Sequence, residues 1–267
     1  MARPRVGRMR AAQNPGPGGR VAAFVTALGA TRGVYEALRR RAPGDPTQWQ
    51  RKNYAGRTVD LYAGPAAAVG AALGTVPART RGAAGLAVVV AGACGAYDDI
   101  AGAGDPRRGF RAHLAALRQG EVTSGAVKLF GIGAAGLAAG ALLKERPADK
   151  LLAGIVIAGT AHLVNLVDVA PGRAALAVLG IGAPGLLRRG GAGALAAAPM
   201  GAAAAILTED LGERTMIGDT GAHALGAALG AAIAAGNGRA GLAVHAAGLI
   251  AAAAHGDEVS RLAGSPM

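Results

Sequence analysis

The feature that most restricts the fold of this chain is the alternation of long apolar blocks with short charged segments. The blocks are rich in Ala, Gly, Leu and Val, and most charged residues lie between them. A helix needs about 20 mainly apolar residues to cross a lipid bilayer. The pattern therefore predicts an all-α, polytopic helical membrane protein, although an alanine-rich soluble helical protein would share part of it.

The blocks predict about nine transmembrane helices within one integral membrane domain at residues 21–267. The predicted spans are 21–38, 61–77, 83–99, 124–143, 151–168, 174–187, 192–208, 220–236 and 241–255. The first is the weakest, because Arg32 and Glu36 interrupt it. Small residues let helices approach closely, so we expect a tightly packed bundle. Residues 1–20 are basic and rich in Pro and Gly, and we expect them to form a disordered tail.

The charge balance indicates which partners to expect. The formal net charge is +12, but the basic residues are scattered among loops and only 3% of residues are aromatic. Nucleic-acid binding requires basic side chains gathered on one face, ideally with aromatic residues for stacking, so no nucleic-acid partner is expected. Attraction to anionic membrane lipid accounts better for the charge. The single cysteine, Cys94, excludes an internal disulfide.

The conspicuous polar segments share one side of the membrane if the spans alternate in direction. They lie after the first, third, fifth, seventh and ninth spans, whereas the opposite loops are short. Loops that are distant in sequence would then form one surface, as a site for a charged substrate requires. Lys and Arg are more numerous in these loops, which favours the cytoplasmic side. The N-terminal tail belongs to the opposite side, and its arginines make the number of Lys and Arg residues equal on the two sides.

Four aspartates stand at the ends of spans on this side: Asp98, Asp99, Asp168 and Asp219. A carboxylate near a membrane is costly unless it is paired, hydrated or bound to a metal ion. The adjacent Asp98 and Asp99 repel each other unless a cation lies nearby, and hard oxygen ligands suit Mg²⁺. The alternatives are a solvated helix end for the pair and an N-cap for Asp219. The cap is compatible with a functional role, because a helix N-terminus also attracts anions.

Other polar residues in the spans allow a functional and a structural interpretation. Lys128, early in the fourth span, either extends to the membrane interface or neutralises a phosphate inside the bundle. His162 and Asn165 lie on one helical face, where packing or hydrogen bonding between helices would also explain them. We interpret His223 and His245 as structural, and the spacing of histidine and cysteine does not predict a zinc site.

The motifs "DDIAG", "KLFGIG", "NLVD" and "MIGDTGAHALG" occur in this order between residues 98 and 230. They resemble those of the polyprenyl-phosphate N-acetylhexosamine-1-phosphate transferases, membrane glycosyltransferase family 4, and "QRKNYAGR" resembles the first cytoplasmic loop of that family. The resemblance implies a multi-pass plasma-membrane enzyme that requires Mg²⁺. Such an enzyme transfers a sugar-1-phosphate from a UDP-sugar to polyprenyl phosphate, releasing UMP, in the synthesis of cell-wall or surface polysaccharide. The resemblance leaves a homodimer open.

The resemblance also implies roles for individual residues: catalytic for Asp98, Asp99 and Lys128, metal-binding for Asp219, and substrate-binding for Asn165, Asp168, Asn53 and Arg57. The family usually has a glycine after the nucleotide-side aspartate and a second aspartate two residues after that glycine. This chain has Val169 and Pro171 instead. The resemblance therefore implies a simple N-acetylhexosamine rather than a peptide-bearing muramoyl sugar.

The lipid phosphate is itself a nucleophile, so we expect direct attack on the β-phosphorus, with Asp98 or Asp99 orienting or deprotonating the acceptor. Two alternatives remain. A membrane transporter would place its polar residues near mid-span and would show inverted repeats, whereas the carboxylates here stand at span ends. A catalytically degenerate member of the family would act as a scaffold.

Overall fold

The computed structural model describes residues 17–53, 55–78, 80–103, 105, 107 and 109–264, and these residues are mainly α-helical. The helices are α1 (Pro17–Arg40), α2 (Ala63–Gly74), α3 (Arg81–Ala101), α4 (Gly109–Arg118), α5 (Ser124–Leu143), α6 (Pro147–Leu166), α7 (Arg173–Gly182), α8 (Gly191–Leu211), α9 (Gly218–Gly236), α10 (Arg239–Ala254) and α11 (Gly256–Gly264). Short 3₁₀ helices span Pro46–Trp49 and Ala183–Leu187, and strands β1 (Gln50–Lys52) and β2 (Thr58–Asp60) form an antiparallel hairpin. Most of the predicted tail, residues 1–16, lies outside the described residues, whereas residues 17–20 already belong to α1.

Each predicted span overlaps one of these helices, which confirms the all-α architecture. Among the described residues, α3, α5, α6 and α8 are long and apolar enough to cross a membrane, and α2, α7 and α10 are shorter apolar helices. Large apolar side chains on the outside of the bundle are exposed, among them Val89 on α3 and Leu142 on α5. Exposed apolar surface of this kind marks contact with lipid or with another protein. The protein is therefore a helical protein of membrane type.

Helix α9 lies at the centre of the bundle, and glycines allow its neighbours to reach it. A Cβ atom at Gly226 would lie 2.6 Å from the Cα of Ala161 on α6, and one at Gly230 would lie 2.7 Å from the Cα of Ile157. Gly221 approaches the backbone of α2 in the same way. The expectation that small residues allow a tightly packed bundle is confirmed at these three glycines.

The polar loops meet at one end of the bundle, which we call the motif end. It comprises the β-hairpin and the connections that follow α3, α6 and α8. The amide of Met216 donates to the carbonyl of Asp60 at 2.9 Å, which joins the α8–α9 connection to the hairpin. The hydroxyl of Ser260 on α11 donates to the carbonyl of Leu166 at the end of α6, at 2.8 Å. Segments that are distant in sequence thus form one surface, as the alternation of spans predicts.

The connections between the other helix ends meet at the opposite end of the bundle. Lys144 Nζ donates to the carbonyl of Asn237 at 2.7 Å, and the guanidinium of Arg20 donates to the carbonyl of Leu186 at 2.6 Å. Because Arg20 lies near the start of α1, this helix begins at the opposite end and runs to the motif end alongside α8.

The charges that interrupt the first predicted span are paired. The guanidinium of Arg32 lies 2.9 Å from Glu36 on its own helix and 2.8 Å from Glu209 on α8. Glu209 also contacts the guanidinium of Arg214 at 2.5 Å. A charge that has a partner costs much less in an apolar environment than an isolated one. These charges therefore do not prevent α1 from packing along the bundle.

The close approach of α9 to α6 leads to a stability prediction. Gly226→Ala is expected to lower the free energy of unfolding by about 1–3 kcal/mol, because the added Cβ forces backbone to move. Gly248→Ala on α10 is the matched control, since a Cβ there meets no atom within 4 Å. Unfolding of both purified variants in detergent micelles checks this. Equal stability of Gly226→Ala and the wild type would contradict the packing.

Candidate functional site

A lysine on α5 joins two carboxylates from different helices. Lys128 Nζ lies 2.6 Å from Oδ2 of Asp98 on α3 and 2.5 Å from Oδ2 of Asp219 on α9. The side chains of Lys128, Asp98 and Asp219 are 20%, 17% and 25% exposed. The ammonium group of Lys128 therefore faces the bundle interior and does not extend to the membrane interface. The ammonium group of Lys128 stabilises both carboxylates, and none of the three charges could be buried alone at low cost.

Asp99 is adjacent to Asp98 but points away from the lysine. Its Oδ1 accepts from the amide of Asp219 at 3.0 Å, and its Oδ2 accepts from the amide and hydroxyl of Thr220 at 2.9 and 2.6 Å. Helix α9 begins at Gly218, and its first turn receives the carboxylate that caps it from α3. The interpretation of Asp219 as the N-cap is therefore wrong: its carboxylate bonds to Lys128.

A cavity of about 710 Å³ opens beside this cluster. Its polar lining lies at the motif end and includes Asp98, Lys128, His162, Asn165, Asp219 and His223. Deeper in the bundle its walls are apolar and come from α5, α6 and α10, with Leu129, Ile132, Ile155, Ala158, Leu249 and Ile250. The cavity is therefore amphiphilic, with a charged end and an apolar channel.

His223, which the sequence suggests is structural, lies in the wall of this cavity. It is only 2% exposed, and its Nδ1 lies 2.7 Å from the carbonyl oxygen of Asp219. The oxygen can only accept, so Nδ1 carries the proton. His162 on α6 lines the same cavity. Both histidines thus stand beside the charged cluster, an arrangement that helical spacing alone does not reveal.

The lining of the cavity also contains charged residues that lie outside the four sequence motifs. Asp105, Arg107 and His113 line it, and the guanidinium of Arg107 lies 2.8 Å from both Asp105 and Glu121. Hydrogen bonding to this guanidinium lowers the pKa of Asp105 and of Glu121 below their usual values. His113 Nδ1 lies 3.0 Å from the hydroxyl of Thr123. The mixed charges of "GDPRRGFRAH" are the sequence signal for this region.

The predicted nucleotide-side residues take two different positions. Asn165 lines the cavity together with Asp98 and Asp219. Asp168 lies in the turn after α6, half-buried, within the electrostatic influence of Asp210 and Asp219. Only Asn165 thus belongs to the cavity lining, while Asp168 stands outside that lining.

The predicted residues of the first loop stand apart from the cavity. Asn53 is 8% exposed, and its amide donates to Oε2 of Glu213 at 2.7 Å. The guanidinium of Arg57 lies 3.3 Å from Oε1 of the same carboxylate. Neither Asn53 nor Arg57 lines the cavity. Both attach the hairpin to the α8–α9 connection, which leads directly into α9.

Oxygen ligands for a cation are present, though not as a closed set. Among the described residues, no group of three or more His, Cys, Asp and Glu side chains is arranged to hold a metal ion. Mg²⁺ is commonly bound through one or two carboxylates, with substrate phosphates and water completing its octahedron. Asp98 and Asp219 face the same cavity and supply donors of this kind. The residues therefore fit a Mg²⁺ ion that arrives with a phosphorylated substrate.

Fold and site together define a helical protein with helices of membrane length and an amphiphilic cavity at one end of its bundle. Protein-family models and curated protein sequences contain no match to the chain.

The ion cluster leads to a second prediction. Lys128→Gln is expected to lower the free energy of unfolding by about 1.5–3 kcal/mol, because two half-buried carboxylates lose a charged donor. Adding Asp98→Asn should recover part of the lost free energy of unfolding, because it removes the repulsion between the carboxylates of Asp98 and Asp219. The control is Arg239→Gln at the opposite end, which breaks a pair with Asp149 whose arginine is 53% exposed. Denaturant unfolding measures all three, and an equal effect of both single variants would contradict a special role for Lys128.

Proposed function

We propose that this protein is a Mg²⁺-dependent phosphoglycosyl transferase. It transfers a sugar-1-phosphate, of the N-acetylhexosamine class, from a UDP-sugar to a polyprenyl phosphate and releases UMP. One observation carries the proposal: the charged cluster of Lys128, Asp98 and Asp219 stands at the end of an otherwise apolar cavity. A phosphate at the end of a long hydrocarbon chain has the same division into a charged and an apolar part.

The apolar walls support a lipid acceptor. They come from α5, α6 and α10 and include Leu129, Ile155 and Leu249. An apolar wall binds hydrocarbon chiefly through the hydrophobic effect, in proportion to the area removed from water. A prenyl chain between these helices would bring its phosphate to Lys128 at the motif end.

The charged end supports a reaction between two anions. Mg²⁺, held by the Asp219 carboxylate, would supply charge neutralisation for the diphosphate. Lys128, in the lining of the cavity, offsets the charge of the acceptor phosphate. Asp98 lies within hydrogen-bond reach of Lys128 and orients the acceptor or takes its proton.

The chemical step needs no nucleophile from the protein. An oxygen of the lipid phosphate attacks the β-phosphorus of the UDP-sugar and forms a new P–O bond. The bond between the β-phosphorus and the bridging oxygen breaks, and that oxygen leaves with UMP. Asn165, in the cavity wall, is available to the nucleotide, and Asp168 lies nearby in the turn after α6.

The proposed location is the plasma membrane, which the chain crosses several times with the motif end in the cytoplasm. Lys and Arg are more numerous in the motif-end loops than in the opposite loops, but the arginines of the N-terminal tail remove this difference, so the orientation rests on the proposed reaction.

The first test of this function is an assay for UMP release. Purified protein with polyprenyl phosphate, Mg²⁺ and a panel of UDP-sugars should release UMP with at least one sugar, and chelation of Mg²⁺ should stop it. Asp219→Asn is expected to reduce turnover by about 10²-fold or more, because an electrostatic group is lost from the reaction site. Asp149→Asn, at the opposite end, is the matched control. Turnover that is independent of Mg²⁺, or unchanged in Asp219→Asn, would contradict the proposal.

The second test concerns the lipid channel. Gly133 on α5 lines the cavity, and a Cβ atom there meets nothing within 4 Å, so a leucine would extend into the space. Gly133→Leu should raise the KM for a long polyprenyl phosphate and leave the KM for the UDP-sugar unchanged. Gly180→Leu on the exposed side of α7 is the control, because a Cβ there also meets no atom within 4 Å. Equal KM values for the lipid in both variants would show that the prenyl chain binds elsewhere.

A further inference from the structure

We propose that Asp99 is a positioning residue that fixes Asp219 by capping α9 from the neighbouring helix α3. The resemblance places Asp99 beside Asp98 as a catalytic residue, but the geometry separates their tasks. The inference rests on the proposed function, because it concerns the carboxylate that would hold the metal ion.

Both carboxylate oxygens of Asp99 are bonded to the first turn of α9. Its two carboxylate oxygens accept from the amides of Asp219 and Thr220 and from the hydroxyl of Thr220. The first amides of any helix have no partner within that helix. Asp99 supplies an acceptor for these amides from the neighbouring helix α3, and its negative charge lies at the positive end of the dipole of α9.

The backbones of the two helices are also in contact at this point. A Cβ atom at Gly95 on α3 would lie 2.3 Å from the carbonyl oxygen of Asp219. Gly218, the first residue of α9, has φ +58°, and a Cβ there would lie 3.1 Å from both carboxylate oxygens of Asp99. Glycine adopts this backbone conformation without the strain of other residues. No side chain separates Asp99 from the turn that carries Asp219, so a shift of one moves the other.

A third element is attached to the same residue. The guanidinium of Arg51 on β1 donates to the backbone carbonyl of Asp99. Asp99 therefore connects the hairpin, the end of α3 and the start of α9. This connection explains how a site at a helix terminus keeps its geometry.

The direction of the side chains separates the tasks of the two adjacent aspartates. Consecutive residues of an α-helix are rotated by about 100° around its axis, so adjacent side chains face different neighbours. Asp98 faces the cavity and Lys128, where a phosphate can reach it. Asp99 faces the turn at Thr220 and has no oxygen without a hydrogen bond to offer a substrate. Asp98 is thus the aspartate of the pair that acts on the acceptor.

The test uses the purified full-length protein with Mn²⁺ as the probe ion and a UDP-sugar, without lipid acceptor, to complete the coordination of the ion. Asp99→Asn keeps one acceptor oxygen but loses the charge and at least one backbone hydrogen bond. It should weaken Mn²⁺ binding, followed by electron paramagnetic resonance, by about 10- to 100-fold, the effect typical of residues that orient metal ligands. Thr220→Val should also weaken Mn²⁺ binding. The double variant should bind Mn²⁺ no more weakly than Asp99→Asn alone, because both substitutions act through one contact.

Two further readouts separate positioning from catalysis and from a loss of stability. Substitution of a positioning residue lowers kcat at every pH and leaves the acid limb of the pH–rate profile in place. Substitution of a catalytic base removes that limb. Gly140→Ala is the stability control, because its Cβ would lie 2.5 Å from the carbonyl of Lys150 at the far end of α5. This variant should lose stability and keep its Mn²⁺ affinity.

Unchanged Mn²⁺ affinity and kcat in Asp99→Asn, or loss of the acid limb, would overturn the positioning role and leave the proposed function in place. Weakened Mn²⁺ binding in Asp99→Asn, in a wild type that releases no UMP with any UDP-sugar, would support the positioning role and reject the transferase. A wild type that neither binds Mn²⁺ nor releases UMP would reject both.

Discussion

The ion cluster of Lys128 with Asp98 and Asp219 is the interaction on which the rest of the structure depends. Isolated charges in an apolar helix bundle are costly, and the cost falls when opposite charges share one site. The two distances of 2.6 and 2.5 Å join α3, α5 and α9 at one point of the motif end. The cluster therefore stabilises the meeting of three helices and leaves two carboxylates facing a cavity.

Small residues make this meeting possible. With few bulky side chains, α9 touches α6 at Gly226 and Gly230 and α3 at Gly95, so the neighbouring helices approach it through backbone atoms. Close backbone packing is the usual basis of helix association in lipid. It also explains the position of Asp219 at the start of an Ala- and Gly-rich helix: the bland segment supplies a rigid support, and the acidic residue stands where that support meets the cavity.

Much of this arrangement follows from the sequence, and part of it could not. The apolar blocks predict the helices, and the alternation of spans predicts that Asp98, Lys128 and Asp219 share one end of the bundle. The direction of Asp99 depends on the rotation of α3 relative to α9, which no local pattern encodes. The pairing of Asn53 with Glu213, and the charged lining around Arg107, likewise depend on contacts between segments that are distant in sequence. Motif position thus indicates which residues gather, while packing decides which of them reach the cavity.

The central claim is that carboxylates from separate helices offset the repulsion of two phosphate-bearing substrates through a shared cation. A crystal structure of the protein with Mn²⁺ and a UDP-sugar, examined by anomalous scattering, tests this claim most directly. The account predicts one Mn²⁺ ion in contact with the Asp219 carboxylate and with the diphosphate, inside the cavity between α5 and α6. An ion bound elsewhere, or a UDP-sugar bound outside this cavity, would contradict it.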